Sequence, residues 1–222
     1  MTGGSRLDPW VDAYASRANA MRASEIRALF AVASRPEVVS LAGGMPYVQA
    51  LPVEMLTDTA TRVLKERGAQ ALQYGSGQGD VTLREQILEV IGEVGVTAHP
   101  DDIVVTTGSQ MALDLVTRIF CDPGDVVLVE APSYVGALGV FRAYECDVIH
   151  VAMDDEGLVP SALTEAIAAV RAAGKRPKLI YTIPSFHNPA GVTQGPARRA
   201  ELLAIAQEAG IAVLEDDPYG LL

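Results

Sequence analysis

From residue 100 onward the chain alternates between two hydrophobic rhythms. Short β-branched runs recur at Ile103–Thr107, Val126–Val129, Asp147–Val151, Lys178–Ile183 and Ile211–Leu214. Between them, residues 109–120, 134–143, 160–173 and 196–209 carry apolar positions at helical spacing. Pro160 and Pro196 open two of these helices, and Gly174 and Gly210 stop them. Unbroken apolar strands separated by helices predict a largely parallel sheet covered on both faces, an α/β fold. The first hundred residues are less regular. Residues 11–33 read as a helix of mixed polarity, and Ser40–Pro46 as a turn-rich break. Residues 53–67 place Met55, Leu56, Ala60, Val63 and Leu64 on one helical face. Gln73–Gly79 holds three glycines in five positions and cannot be regular structure. Thr82 and Glu85 have the spacing of a capping box for the helix that follows.

Composition narrows the functional classes. The chain is 49% hydrophobic and 20% charged, enough to bury a core and unlike a disordered segment. A net charge of −11 disfavours nucleic acid or an anionic membrane as the main partner, since both require a basic face. Cys121 and Cys146 lie in no metal or redox spacing and read as buried thiols. His99, His150 and His187 are too scattered to suggest a metal site. The N-terminus has no apolar leader core and no run is long enough to span a bilayer, so the expected setting is the cytoplasm.

In sheets of this kind ligands bind beyond the carboxyl ends of the strands. The chemically informative loops fall there: Gly108-Ser109-Gln110, Ala131–Tyr134, Ser185–Gly191 and Asp216–Tyr219. A glycine and a serine at a helix start suit an anion, worth ~0.3–1 kcal/mol from the helix terminus alone, and equally suit a plain serine-capped turn. Tyr134 reads as a half-buried tyrosine at a loop–helix junction. Asn188, before a proline, is either an amide donor or a turn starter. Asp216 and Tyr219 place a carboxylate and a phenol at a strand end, with Glu215 and Asp217 as competing acids. Strand alternation turns Asp216 to the opposite face from both.

Taken as an ordered set, Gly108-Ser109-Gln110, Tyr134, Asn188-Pro189-Ala190-Gly191 and Asp216-x-x-Tyr219 resemble the cofactor pocket of the fold-type I pyridoxal-phosphate (PLP) enzymes, specifically the class I/II aminotransferases. Leu41–Pro46, with Gly43 and Gly44, is similar to the substrate loop of the α-aminoadipate and kynurenine-type branch. Leu72-Gln73-Tyr74 resembles the segment whose tyrosine reaches the phosphate of the other subunit's cofactor. Met21–Arg27 resembles the N-terminal specificity helix, with Arg27 placed to meet a substrate carboxylate. The resemblance implies that Asp216 faces the ring nitrogen, Asn188 and Tyr219 the phenolic oxygen, Tyr134 the ring face, and residues 108–110 the phosphate. It further implies a homodimer that moves an amino group between an amino acid and a 2-oxo acid. Residues 1–50 would form an arm and specificity helix belonging to a small domain, and residues 51–222 the first part of the PLP-binding large domain.

The chain departs from that family in several places. Ala190 stands where many relatives have threonine, Pro218 where many have alanine, and Pro46–Gln49 differs from the substrate loop of close relatives. The lysines are Lys65, Lys175 and Lys178, and none follows Tyr219. The family's Schiff-base lysine would fall beyond Leu222. The expectation is therefore a lysine-lacking N-terminal half, inactive alone and truncated before the last strands of the sheet, with unpaired strand edges. The same cradle would also serve a PLP-dependent decarboxylation, a non-catalytic PLP-binding sensor or a degenerate fragment.

Overall fold

A computed structural model describes residues 10, 13–20, 35, 37–39 and 47–221. The described residues fall into two compact units. One comprises those of Ser24–Gly108, the other those of Met1–Ala23 with Ser109–Leu222.

In the first unit, helix α1 (Val53–Ala71) runs past the expected end at residue 67, with a break in helical geometry at Arg67, just before Gly68. Helix α2 (Val81–Gly92) is capped by Asp80, whose Oδ1 accepts the Leu83 N–H at 3.1 Å. The expected Thr82–Glu85 box is not used, because Asp80 occupies the cap two residues earlier. Ile103–Thr107 is not a strand. A strand exists only through a ladder partner, and among the described residues the segment pairs with no strand; Val105 N–H instead latches onto Gln78 O at 2.8 Å. That latch passes over Gly79, at φ +103°, where a side chain would collide with Val105.

The second unit is the layered sheet. Its strands are β1 (Val126–Ala131), β2 (Asp147–Asp154), β3 (Gly157–Leu158), β4 (Pro177–Thr182) and β5 (Ala212–Glu215), in spatial order β3-β2-β1-β4-β5. All pairings are parallel except the β2–β3 hairpin. Four helices cover the sheet: α3 (Ser109–Phe120), α4 (Val135–Ala143), α5 (Pro160–Ala172) and α6 (Pro196–Ala209). Alternate residues of β1 and β4 feed two cores. Val127, Val129, Leu179 and Tyr181 pack with Leu113 of α3 and Phe141 of α4. Val126, Leu128 and Ile180 pack with Leu163 and Ile167 of α5 and Leu202 of α6. Burial on both faces is why these strands read as continuous apolar runs. Cys121 and Cys146 are free and buried in the first core, as expected. β5 pairs only with β4, so its outer edge is open among the described residues. No helix among the described residues is long and apolar enough to cross a membrane.

Candidate active site

Three of the four chemically informative loops leave the carboxyl ends of β1, β4 and β5. The fourth, Gly108-Ser109-Gln110, opens α3 without following a strand. Gly108 has φ +75° and is pinned by Thr106, whose Oγ1 donates to Gly108 O at 3.0 Å. Ser109 and Gln110 form the exposed first turn of α3, where backbone N–H groups lack intrahelical acceptors. Gln110 Nε2 donates to Gly136 O at 3.3 Å, joining the first turns of α3 and α4. Tyr134 is the N-cap of α4 and lies half-buried against the first core. Its ring folds over Gly136, where any β-carbon would collide with the phenol. Gly136 therefore makes the seat for the aromatic, a role the sequence reading missed.

β5 ends at Glu215, and alternation decides which acid faces which way. Val213 and Glu215 line a cavity of about 140 Å³ on the α6 side, while Leu214 packs on the first core. Asp216 follows Leu214 to that side. Its backbone N–H still bonds Thr182 O, and its Oδ2 accepts the Tyr181 hydroxyl at 2.6 Å. Tyr181 is wholly buried, edge-on to Phe141 with ring centroids 5.5 Å apart. Burial, then the bond to Asp216, pushes its hydroxyl far above the ordinary phenol range, so it remains the donor. Asp217 turns toward Gly220. Asp216 is half-buried and has no ion-pair partner among the described residues. Tyr219 is half-buried two residues past Asp217, without a side-chain hydrogen bond among the described residues.

Asn188 sits half-buried in a tight loop between β4 and α6. The neck closes by Gln194 N–H to Pro184 O and His187 N–H to Val192 O, both 2.8 Å. Arg199 of α6 clamps the same neck, donating to Gln194 O at 2.8 Å and to Pro184 O and Ser185 Oγ at 3.2 Å. Beneath lies the buried carboxylate of Glu130, which no motif singled out. It accepts from Thr182 Oγ1 and Gln194 Nε2 at 2.7 Å and from the Ile183 N–H at 2.8 Å. The signal that could have found it is an acid ending the otherwise apolar run Val126–Val129, since an unpaired carboxylate is not buried there.

The structure thus connects Gln110, Tyr134 and Asp216 through Gly136 and Tyr181. Asn188 and Tyr219 lie on loops from the same ends of β4 and β5, with no hydrogen bond between them among the described residues. Tyr74 belongs to the other unit and is 97% exposed. Arg27, Gly43 and Gly44 lie outside the described residues. Lys175 pairs with Asp147 at 2.7 Å and Lys178 approaches Asp125 at 3.8 Å, both at the amino end of β4, away from this site. Lys65 lies on α1 in the other unit. No cluster of metal-ligating side chains occurs among the described residues.

The donor set suits an aromatic, phosphorylated, ring-cationic group. A half-buried carboxylate suits a protonated ring nitrogen, an aromatic on a glycine seat suits a stacking face, and a helix start suits an anion. Comparison with known proteins agrees. The model of the family "Aminotransferase class I and II" matches residues 36–222. The chain is 42% identical over 210 residues to aromatic-amino-acid aminotransferase 1 of Thermococcus litoralis, covering 94% of this chain and 50% of that protein. It is 41% identical to the 2-aminoadipate transaminase of Thermus thermophilus, over 95% of this chain and 50% of that one. The crystal structure of Pyrococcus horikoshii kynurenine aminotransferase, in complex with PMP, superposes with a TM-score of 0.86 at 41% identity, covering 93% of this chain and 51% of that one. The chain spans about half the length of the curated relatives it matches. A fold of this type, with this cradle and a match across residues 36–222, places the chain in the class I and II aminotransferase family, whose members depend on PLP.

Proposed function

We propose that this chain is the cofactor-cradling half of an aminotransferase that exchanges an amino group between an amino acid and a 2-oxo acid. The carrying observation is the Tyr181–Asp216 pair: a carboxylate held by a buried hydroxyl at 2.6 Å, with no ion-pair partner among the described residues. Bound there, PLP supplies a carbonyl to take up the amino group and a ring to accept the electrons released with the α-proton. Asp216 would keep the proton on the ring nitrogen. Asn188 and Tyr219 would donate to the ring oxygen, and Tyr134 would stack on the ring. Gly108, Ser109 and Gln110 would hold the phosphate, with Tyr74 reaching the phosphate of a second subunit. Arg27, Gly43 and Gly44 would contact the substrate.

Lys175 and Lys178 lie at the amino end of β4, so neither would serve as the Schiff-base lysine, which would come from sequence outside these residues. The full-length protein would be a cytoplasmic homodimer, with residues 1–50 an arm contributing to a small domain and 51–222 the first part of the large domain. The relatives' names set the donors to test: aromatic amino acids, 2-aminoadipate and kynurenine. The full-length protein, incubated with PLP and each donor, is expected to pass the amino group to a 2-oxo acid. Cofactor uptake with carbon dioxide release and no amino transfer would point to the decarboxylase alternative instead.

A further inference from the structure

In the reading above, which this inference rests on, Asn188 donates to the cofactor's ring oxygen. Among the described residues, however, no side-chain hydrogen bond aims the Asn188 carboxamide. Its direction is set by the loop backbone. The Glu130 carboxylate meets this loop before, within and after the asparagine, once through the backbone and twice through side chains. Before it, the Ile183 N–H donates to Glu130 Oε2 at 2.8 Å. After it, Gln194 Nε2 donates to Glu130 Oε1 at 2.7 Å and to Thr182 Oγ1 at 3.0 Å.

Within the loop the tie is His187, whose side chain is as buried as that of Glu130. Its Nδ1 accepts the Ala190 N–H at 3.2 Å, which leaves the proton on Nε2. Nε2 faces Glu130 Oε2 at 3.0 Å, off the axis of a straight hydrogen bond. The His187 carbonyl accepts the Gly191 N–H at 2.6 Å. The imidazole therefore spans from the buried carboxylate to the far side of the Asn188–Pro189 turn.

We propose that Glu130 and His187 are positioning residues: they fix the turn so that the Asn188 carboxamide points at the ring oxygen. The chemistry sets strict requirements. Position 187 must present an acceptor to Ala190 and a donor to Glu130 at once. Imidazole does so, a Gln carboxamide has both groups, and a Leu side chain has neither. Position 130 accepts three hydrogen bonds and faces the His187 Nε2 at 3.0 Å, and a Gln there would turn an N–H₂ toward other donors.

The test uses the full-length protein and three readouts: PLP affinity by absorbance titration, the midpoint pH of the bound cofactor's absorbance change, and the melting temperature without cofactor. The expected result is that His187→Leu weakens PLP binding about tenfold and moves the midpoint in the same direction as Asn188→Ala. His187→Gln restores both, and the double variant His187→Leu/Asn188→Ala moves the midpoint no further than Asn188→Ala alone. Val170→Ala, in the opposite core, is the stability control: it lowers the melting temperature and leaves the cofactor signature alone. If His187→Leu behaves like Val170→Ala, the network is merely structural and the proposal is wrong. Should His187→Leu not fold, Glu130→Gln reads the same contact, with a displaced midpoint supporting the proposal and an unchanged one overturning it. A parent protein that takes up no PLP sinks the cofactor reading, and this inference with it. Parent uptake with an indifferent His187→Leu sinks this inference alone.

Discussion

At the scale of the residue, the site turns on which acid faces the cofactor side. Asp216 is held by Tyr181, whereas Asp217 turns to Gly220. In the full-length enzyme Asp216→Ala is expected to slow α-proton transfer by about two orders of magnitude, the rate equivalent of losing one charge-assisted contact of ~3 kcal/mol. Asp217→Ala is expected to cost far less, and single-turnover absorbance traces separate the two. Equal losses would mean that the strand end faces the other way. Tyr181→Phe keeps the packing on Phe141 but frees the carboxylate, and is expected to destabilise the fold by roughly 1–2 kcal/mol and to weaken PLP binding. A Tyr181→Phe protein matching the parent in denaturant midpoint and cofactor affinity would remove Tyr181 from the account. Motif residues such as Asn188 and Asp216 were legible because their spacing is local. Their supports were not. Glu130 meets Thr182, Ile183 and Gln194 across 52, 53 and 64 positions, and no local pattern encodes such a meeting. His187, one of three histidines too scattered to suggest a metal site, meets Glu130 only through how the loop packs on β1.

At the scale of the element, the helices from residue 109 on and the four parallel strands stand within a few residues of where periodicity put them. The failures have physical causes. Ile103–Thr107 has strand composition but no ladder partner. β3 has only two residues and exists because Gly157, at φ +95°, turns the chain back onto β2. That hairpin is secured from α6. Arg198 donates to both carboxylate oxygens of Asp154, at 3.2 and 3.0 Å, and to Leu158 O at 2.8 Å. The Arg198 hydrogen bonds, then the Glu156 backbone N–H, hold the Asp154 carboxyl below the usual carboxylate range. A carboxylate depressed in the folded state stabilises the fold above its unfolded pKa, and that contribution is lost as pH falls through the lowered folded value. Asp154→Asn should therefore melt below the parent at neutral pH and converge with it in acid, below the ordinary carboxylate range. A deficit constant across melts from pH 7 to pH 3 would contradict this.

At the scale of the whole molecule, the described sheet ends on one side in the two-residue β3, which pairs only with Met153 and Asp154 of β2, and lies open on the other along β5. Val213 is 39% exposed there and Leu203 of α6 is 49% exposed beside the small cavity. An open edge flanked by apolar side chains invites association with other chains. This chain expressed alone is expected to self-associate, and co-expression with the remaining half as a separate polypeptide to restore a discrete species in size-exclusion chromatography. A sharp, cooperative thermal transition from a monodisperse monomer of the chain alone would show the unit to be self-sufficient. If Tyr74 serves a second subunit's site, mixing Tyr74→Phe and Asp216→Ala subunits of the full-length protein should recover part of the activity neither parent has.

The loop that carries Asn188 has one more consequence. Surface loops normally open on their own, and their amide protons leave for solvent in fast local fluctuations. Here the amides of Ile183, His187, Gly191 and Gln194 are bonded into a neck that rests on a buried carboxylate of β1. The Ile183 amide bonds the Glu130 carboxylate directly, and the loop bonds of the other three lie beside the His187 and Gln194 side chains that meet it. In deuterium exchange these four should trade their protons on the slow timescale of the sheet centre, alongside Leu128 and Ile180, so that what looks like a loop behaves in time as part of the sheet.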